Sequence, residues 1–397
     1  MNLKVLFVSS VLSFALIGCV SEFDAKLPLN DIQILVVNGT IEENSDVSFY
    51  LSKSFSLDTC YVPAESSDID AKLTIIGSNG YQSKPATNIG NGEYRIYVGK
   101  LDDNVEYGIQ IEYDGDTYRS TLSKPLHTPE IDSISWVQPE KEGAISFRIS
   151  THDDTEGAKF LLWNYTEDWE ITAEHSTTIF MGFGPPPKGP GYYSESYPPY
   201  YYCWKKGASK KILIGSTESL KENRIINQQF YECDPADKRF SELYCITVSQ
   251  RVISKEAHEY YQNKLKFQEE MGGLFTPQPF EVKGNITCTT NPSKKAIGYV
   301  ETVKNISQKR IFVSREQISR PRINSDCELI RHENVSAYVP GYSINVYLDF
   351  YNMGYRPALT PNALTHKPDY WTYQSCTDCT ANGGSKDKPD FWPNDHR

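Results

Sequence analysis

Between residues 32 and 122, short runs rich in β-branched and aromatic residues alternate apolar with polar positions, and turn-forming residues break them every eight to twelve positions. A period of two with that spacing leaves little room for helix and predicts an all-β fold. The runs 32–40, 47–55, 72–77, 94–98 and 107–113 each fit a strand of ordinary length. Asn79-Gly80 and Asp114-Gly115 tolerate positive φ at low cost, so each is expected to close a tight hairpin, the second joining 109–113 to 117–121. Residues 31–127 are therefore expected to form an Ig-like or regulatory-like β-sandwich.

Pro125 and Pro129 interrupt the ladder, because neither donates a backbone hydrogen bond, and they bracket a boundary near His127. A second β-rich domain is expected over 128–351, with strands at 145–149, 160–165, 211–215 and 243–248. One helix is predicted over 254–271, with Ser254 as N-cap and Gly272-Gly273 as the stop. Its apolar stripe of Ala257, Tyr261 and Leu265 is narrow, which suits a helix lying on a sheet. After it, a strand opens at Gly284-Asn285-Ile286, residues 296–303 and 309–314 read as a hairpin around Asn305, and 343–351 is the last strand. Closely spaced prolines make 352–397 an irregular, cysteine-containing segment expected to pack on the second domain.

The N-terminus carries an address. Lys4 precedes a run, 5–17, that is apolar except for three serines, and Leu16-Ile17-Gly18-Cys19 closes it in the manner of a lipobox. Such a run is shorter than the roughly 20 residues that span a bilayer, so 1–18 reads as an export signal and Cys19 as the site of acylation. An ordinary secretory signal that happens to contain a cysteine is the plainer alternative. Ser21-Glu22-Phe23-Asp24 places two acids early in a polar tether, 19–30. An acidic pattern there fits cell-surface display on the outer membrane; a periplasmic face or a plain solvated linker is the alternative.

The net charge of −11 becomes −12 once 1–18, with Lys4, is removed. An acidic chain is a poor partner for nucleic acid. With Cys19 acylated, eight cysteines remain: Cys60, Cys203, Cys233, Cys245, Cys288, Cys327, Cys376 and Cys379. Even parity in an oxidising compartment favours disulfides, and partial pairing is equally admissible. Cys203, Cys233, Cys245, Cys376 and Cys379 are the candidates for structural bonds.

Several motifs occur in a fixed order: Leu35-Val36-Val37-Asn38-Gly39, Glu167-Asp168-Trp169-Glu170-Ile171, Tyr202-Cys203-Trp204, the run 279–286, then Cys376-Thr377-Asp378-Cys379, Gly383-Gly384 and Lys388-Pro389-Asp390-Phe391-Trp392. With the lipobox, they make the chain similar to the Bacteroidota outer-membrane lipoproteins of domain-of-unknown-function family 4249. Members of that family are often encoded beside TonB-dependent transporters, so the resemblance implies an accessory role in uptake. One departure is the Gly/Pro/Tyr-rich stretch 182–202, which is longer than the family pattern needs.

That stretch holds the main candidate site. Residues 184–204 combine a triple proline with Tyr192, Tyr193, Tyr197, Tyr200, Tyr201, Tyr202 and Trp204. Proline lowers the entropy lost on ordering, and tyrosine offers rigid amphipathic contact surface, so the loop reads as a ligand- or partner-binding element. Aromatics that simply cover their own domain are the alternative. Cys376 and Cys379 suit a staple that ties the tail to the body. Zinc would need His366 and His396 as further ligands, and a redox CxxC would need a helix N-terminus after a strand. Asp153, Asp154 and Glu156, like Asp68 and Asp70, read as solvated acidic turns rather than calcium loops. The histidines, among them His127, His152, His175, His258 and His332, are scattered, and no GxSxG, P-loop or HExxH motif occurs.

The expected function is therefore a non-catalytic, cofactor-free, lipid-anchored accessory or ligand-binding protein working with an outer-membrane transporter. A structural subunit of an outer-membrane assembly is the second expectation. A surface hydrolase using Asp168 and Glu170 is the third, weakened because neighbouring carboxylates on a strand point to opposite faces.

Overall fold

The structure, a computed structural model, describes residues 34–54, 69–155, 157–183, 190–194, 198–209, 211–270, 283–322, 326–331, 351–358 and 370–394. Cys19, the tether, Cys60, Asp68, Glu156, Tyr197, the helix stop, His332, His366, His396 and nearly all of the strand expected at 343–351 lie outside them.

The all-β expectation holds. In the first sandwich one sheet is ordered Ala296–Ile297, Leu35–Asn38, Ser45–Lys53, Glu93–Val98 and Thr87–Gly90. The facing sheet is ordered Ile286–Cys288, Asp116–Ser120, Tyr107–Tyr113 and Lys72–Gly77. Strict alternation along Glu93–Val98 turns Tyr94, Ile96 and Val98 into a core shared with Phe49, Leu73, Ile109 and Ile111. Asp114 and Gly115 both take positive φ, 53° and 76°, and turn Tyr107–Tyr113 back onto Asp116–Ser120. At Asn79-Gly80 only the glycine is left-handed, and the turn closes on a single bridge between Ile76 and Gln82.

The hairpin expected around Asn305 does not form. Ala296–Ile297 runs parallel to Leu35–Asn38, Thr302–Val303 parallel to Ile41–Glu42, and Ile286–Cys288 antiparallel to Asp116–Ser120. Residues 128–351 are thus not one continuous unit, because the chain returns after the helix to complete the first sandwich. Burial drives the return: Ile286, Cys288 and Val300 enter the first core. Glycine permits it, since a Cβ on Gly298, which has φ 149°, would sit 2.2 Å from the Val37 carbonyl oxygen.

The second sandwich faces Arg224–Cys233, Ile145–His152 and Ile131–Val137 against a sheet ordered Tyr202–Ala208, Phe160–Thr172, Leu243–Val252 and Ser307–Ser314. Its long central strand pairs at one end with Leu213–Ser216 and at the other with Tyr202–Ala208. Leu161, Trp163 and Tyr165 point between the sheets, where they meet Ile145, Phe147, Tyr244, Ile246 and Val248. The opposite face carries Phe160 and Leu162, which the helix Lys255–Glu270 covers through Ala257 and the preceding Ile253. Ser254 Oγ accepts the Ala257 N–H at 3.1 Å, and the Glu301 carboxylate accepts the Ser254 N–H at 2.9 Å, so the helix entry is capped from both sides.

The C-terminal segment is less irregular than its prolines suggest. Ile330–Arg331, Tyr370–Tyr373 and Tyr355–Ala358 form a small sheet, followed by the one-turn helix Gln374–Thr377 and the 3-10 turn Cys379–Asn382.

Candidate functional site

The aromatic loop resolves into two parts with different fates. Ile179–Phe183 pairs antiparallel with Pro190–Ser194, setting Met181 opposite Tyr192 and Phe180 opposite Tyr193. This ribbon joins neither large sheet and lies beside Tyr355–Ala358. A two-stranded hairpin alone is marginal in water, so the neighbouring strand supports it. Tyr200 stays 41% exposed, with its ring edge-to-face on Phe180 at 5.7 Å. Tyr201 and Tyr202 are half-buried and edge-to-face at 4.7 Å, and burial pushes the Tyr201 phenol pKa upward.

Trp204, expected in the same binding loop, packs elsewhere. It lies on Tyr202–Ala208 opposite Glu170 and is buried with Leu243, Cys245 and Trp392, so its side chain packs the domain.

The tail is tied down at two points. Cys379 bonds Cys203, and Cys376 bonds Cys327, so the two CxxC cysteines take different partners rather than each other or a metal. Around these bonds, Cys379 N–H donates to Tyr200 O at 3.0 Å and His175 N–H to Cys376 O at 2.9 Å. His175 Nε2 lies 3.1 Å from Cys327 O. Cys233 and Cys245, expected as disulfide candidates, are free and buried. Cys233 packs between the sheets while Cys245 is on the outer face under Trp392, so they cannot meet. Burial pushes both thiol pKa values up to about 12.

The acids sort by strand parity. Asp168 and Glu170, two residues apart, share the outer face, and it is Glu167 that points inward; the opposite-face expectation fails for the pair it was applied to. Both outer carboxylates are buried, Glu170 almost completely. Burial raises the Asp168 pKa, and Lys206 and Arg310 draw it back in part. Glu167 Oε1 accepts from Tyr244 Oη at 2.6 Å and from Arg239, whose guanidinium also donates to Tyr231 Oη at 2.8 Å and to Asp237 at 2.9 Å. Burial opposes that cation, yet the surrounding carboxylates hold its pKa above the ordinary arginine value. The sequence reading missed this network; its signal was an acid at an inward parity of a core strand.

The remaining acidic and histidine candidates that are described include local turns and surface pairs. Asp153 accepts N–H groups from Thr155 at 2.9 Å and Ala158 at 2.7 Å; although burial works the other way, these bonds hold its carboxyl below the usual range. His152 sits 2.7 Å from Asp132 and His127 3.2 Å from Asp103, both toward solvent. Among the described residues no group of three His, Cys, Asp or Glu side chains is placed to hold a metal, and no helix is long and apolar enough to cross a membrane.

No curated protein matches the sequence. A family model described as a domain of unknown function, DUF4249, matches residues 20–309, which takes in the first sandwich, the aromatic ribbon, the helix and the return segment, and stops short of the disulfide-tied tail. With well over half of its length matched, the chain belongs to the DUF4249 family.

Proposed function

We propose that this chain is a lipid-anchored accessory protein of the Bacteroidota outer membrane, held by an acylated Cys19 and binding a TonB-dependent transporter partner through the aromatic ribbon and the adjoining Tyr200. The observation that carries this reading is the ribbon itself, a hairpin of aromatic, Gly and Pro residues that joins neither core sheet and flanks an exposed tyrosine. A ribbon whose sequence is rich in aromatics, set on a stable β scaffold, suits a binding loop. Two disulfides support an oxidising compartment and the lipobox-like 16–19 segment supports an anchor. Glu167 is committed to a structural pairing with Arg239 and Tyr244, which fits a binding role. Purification of the acylated protein from its own membranes in mild detergent, beside Cys19→Ala, tests the proposal. Stoichiometric recovery of a TonB-dependent transporter with the acylated form is expected, and recovery of the protein alone in both preparations would overturn it.

A further inference from the structure

Residues 379–392 lie over the outer face of the second sandwich, touching it at a few separate points. After Cys379–Asn382 they form no strand, and one bridge, Ser385 with Trp204, joins them to the sheet edge through two backbone bonds of 2.8 Å. Lys386 Nζ donates to Pro199 O and, at 2.9 Å, to Tyr202 O. Beyond it the Trp392 ring meets Phe312 edge-on at 5.5 Å, and the Arg310 guanidinium covers the Phe391 ring at 3.5 Å. Trp392 joins Trp204, Leu243 and Cys245 in one cluster, on the face that also carries Asp168 and Glu170.

The cover comes with an opposing cost. A carboxylate removed from water resists burial, and Asp168 shows that resistance in its raised pKa. A covalent tether answers this by raising the local concentration of the segment at its own docking surface. The Cys203–Cys379 bond is placed to do so, because Cys203 is the second residue of the edge strand Tyr202–Ala208, and Gly384 packs so close that a Cβ there would lie 2.5 Å from Cys203 Cβ. The second bond, Cys327–Cys376, holds Gln374–Thr377 separately, so Cys203–Cys379 is the covalent tie between the segment after Thr377 and the sheet edge.

We propose that residues 379–392 form a redox-locked strap, held over the outer face by the Cys203–Cys379 bond, and that breaking this bond uncovers Asp168, Glu170 and Cys245. A dithiol reductant supplies two electrons and two protons, the Sγ–Sγ bond becomes two thiols, and the reductant leaves as its own disulfide. A disulfide oxidant reverses the step, taking the same electrons and protons.

The chain contains its own reporters. Cys245 lies under the strap, Cys233 between the sheets of the second sandwich and Cys288 in the core of the first, and all three are buried thiols. Alkylation of the folded protein, followed by peptide mass mapping, compares the wild type with Cys203→Ser/Cys379→Ser, which keeps the other disulfide. The strap predicts labelling of Cys245 at least about tenfold faster in the variant, with Cys233 and Cys288 as protected as before. Unchanged protection of Cys245 would overturn the proposal, and so would a common rise at all three thiols, which would make the segment part of one cooperative fold. Trp392→Ala, which keeps both disulfides, provides the second arm: faster labelling confined to Cys245 supports docking through that ring, and no change contradicts it.

Discussion

Asn305 and Thr128 join the two sandwiches through both edges of one side-chain amide: Asn305 Oδ1 accepts the Thr128 N–H at 3.1 Å and its Nδ2 donates to Thr128 O at 2.9 Å. The amide thereby imitates a strand neighbour where Pro129 leaves the backbone ladder. Beside it, Leu126 N–H donates to Thr302 O at 2.9 Å, and Lys304 Nζ pairs with Glu43 and Asp103, both at 3.1 Å. The crossing segment thus grips both sides of the boundary near His127.

Asn305→Ala removes both bonds and leaves the backbone amide of the buried Thr128 unpaired. The expected loss is about 2–3 kcal/mol in urea unfolding. A loss below about 0.5 kcal/mol would show that the junction does not depend on this amide.

Gly298→Ala places a methyl group against the Val37 carbonyl at a φ that L-residues rarely adopt. The return segment must then move off Leu35–Asn38, and a loss of more than about 3 kcal/mol is expected. Gly80→Ala is the comparison, because no atom lies within 4 Å of a Cβ there although φ is also positive. It should cost about 1 kcal/mol, and equal losses at the two positions would contradict the close-approach account.

Arg239→Met leaves the Glu167 carboxylate buried without its cation, an arrangement that costs about 3–5 kcal/mol. Adding Glu167→Gln removes the stranded charge and should restore much of the loss. Equal stability of the single and double variants in denaturant titration would refute the pairing.

His258 packs on the Phe160 ring at 4.8 Å, and burial lowers its pKa below the ordinary 6.5, with Glu218 and Glu259 partly opposing. A depressed pKa means that the neutral ring is favoured in the folded state. Its contribution to stability is present above the unfolded value and is lost as pH falls through the folded one. The wild type should therefore lose more stability between about pH 7.5 and about pH 5 than His258→Gln does. Parallel pH profiles would exclude this histidine as the cause.

Local chemistry was readable in the sequence, while distant partnership was not. The turn at Asp114-Gly115 and the cap at Ser254 depend on a few adjacent residues, and both form where expected. The return of 285–303 depends on partners far away in the chain, such as Val36 for Ile297 and Arg119 for Thr287, and no local pattern announces it. Trp204 reads as a loop aromatic until the strand Tyr202–Ala208 fixes its parity toward the covered face. The shared face of Asp168 and Glu170 follows from their spacing alone, since residues two apart on a strand point the same way. Disulfide choice needed the fold, because Cys203 and Cys379 stand 176 residues apart.

The most direct test of the central claim is quantitative co-purification of the membrane-extracted protein and its Phe180→Ala/Tyr200→Ala variant with the proposed transporter partner. Tyr200 is 41% exposed and its ring meets Phe180 edge-on, and the unfolding midpoint of the variant, measured beside the wild type, separates lost binding from lost fold. The account predicts loss of at least about nine-tenths of the recovered transporter, as expected when aromatic anchors are truncated. Undiminished recovery from an equally stable variant would contradict it.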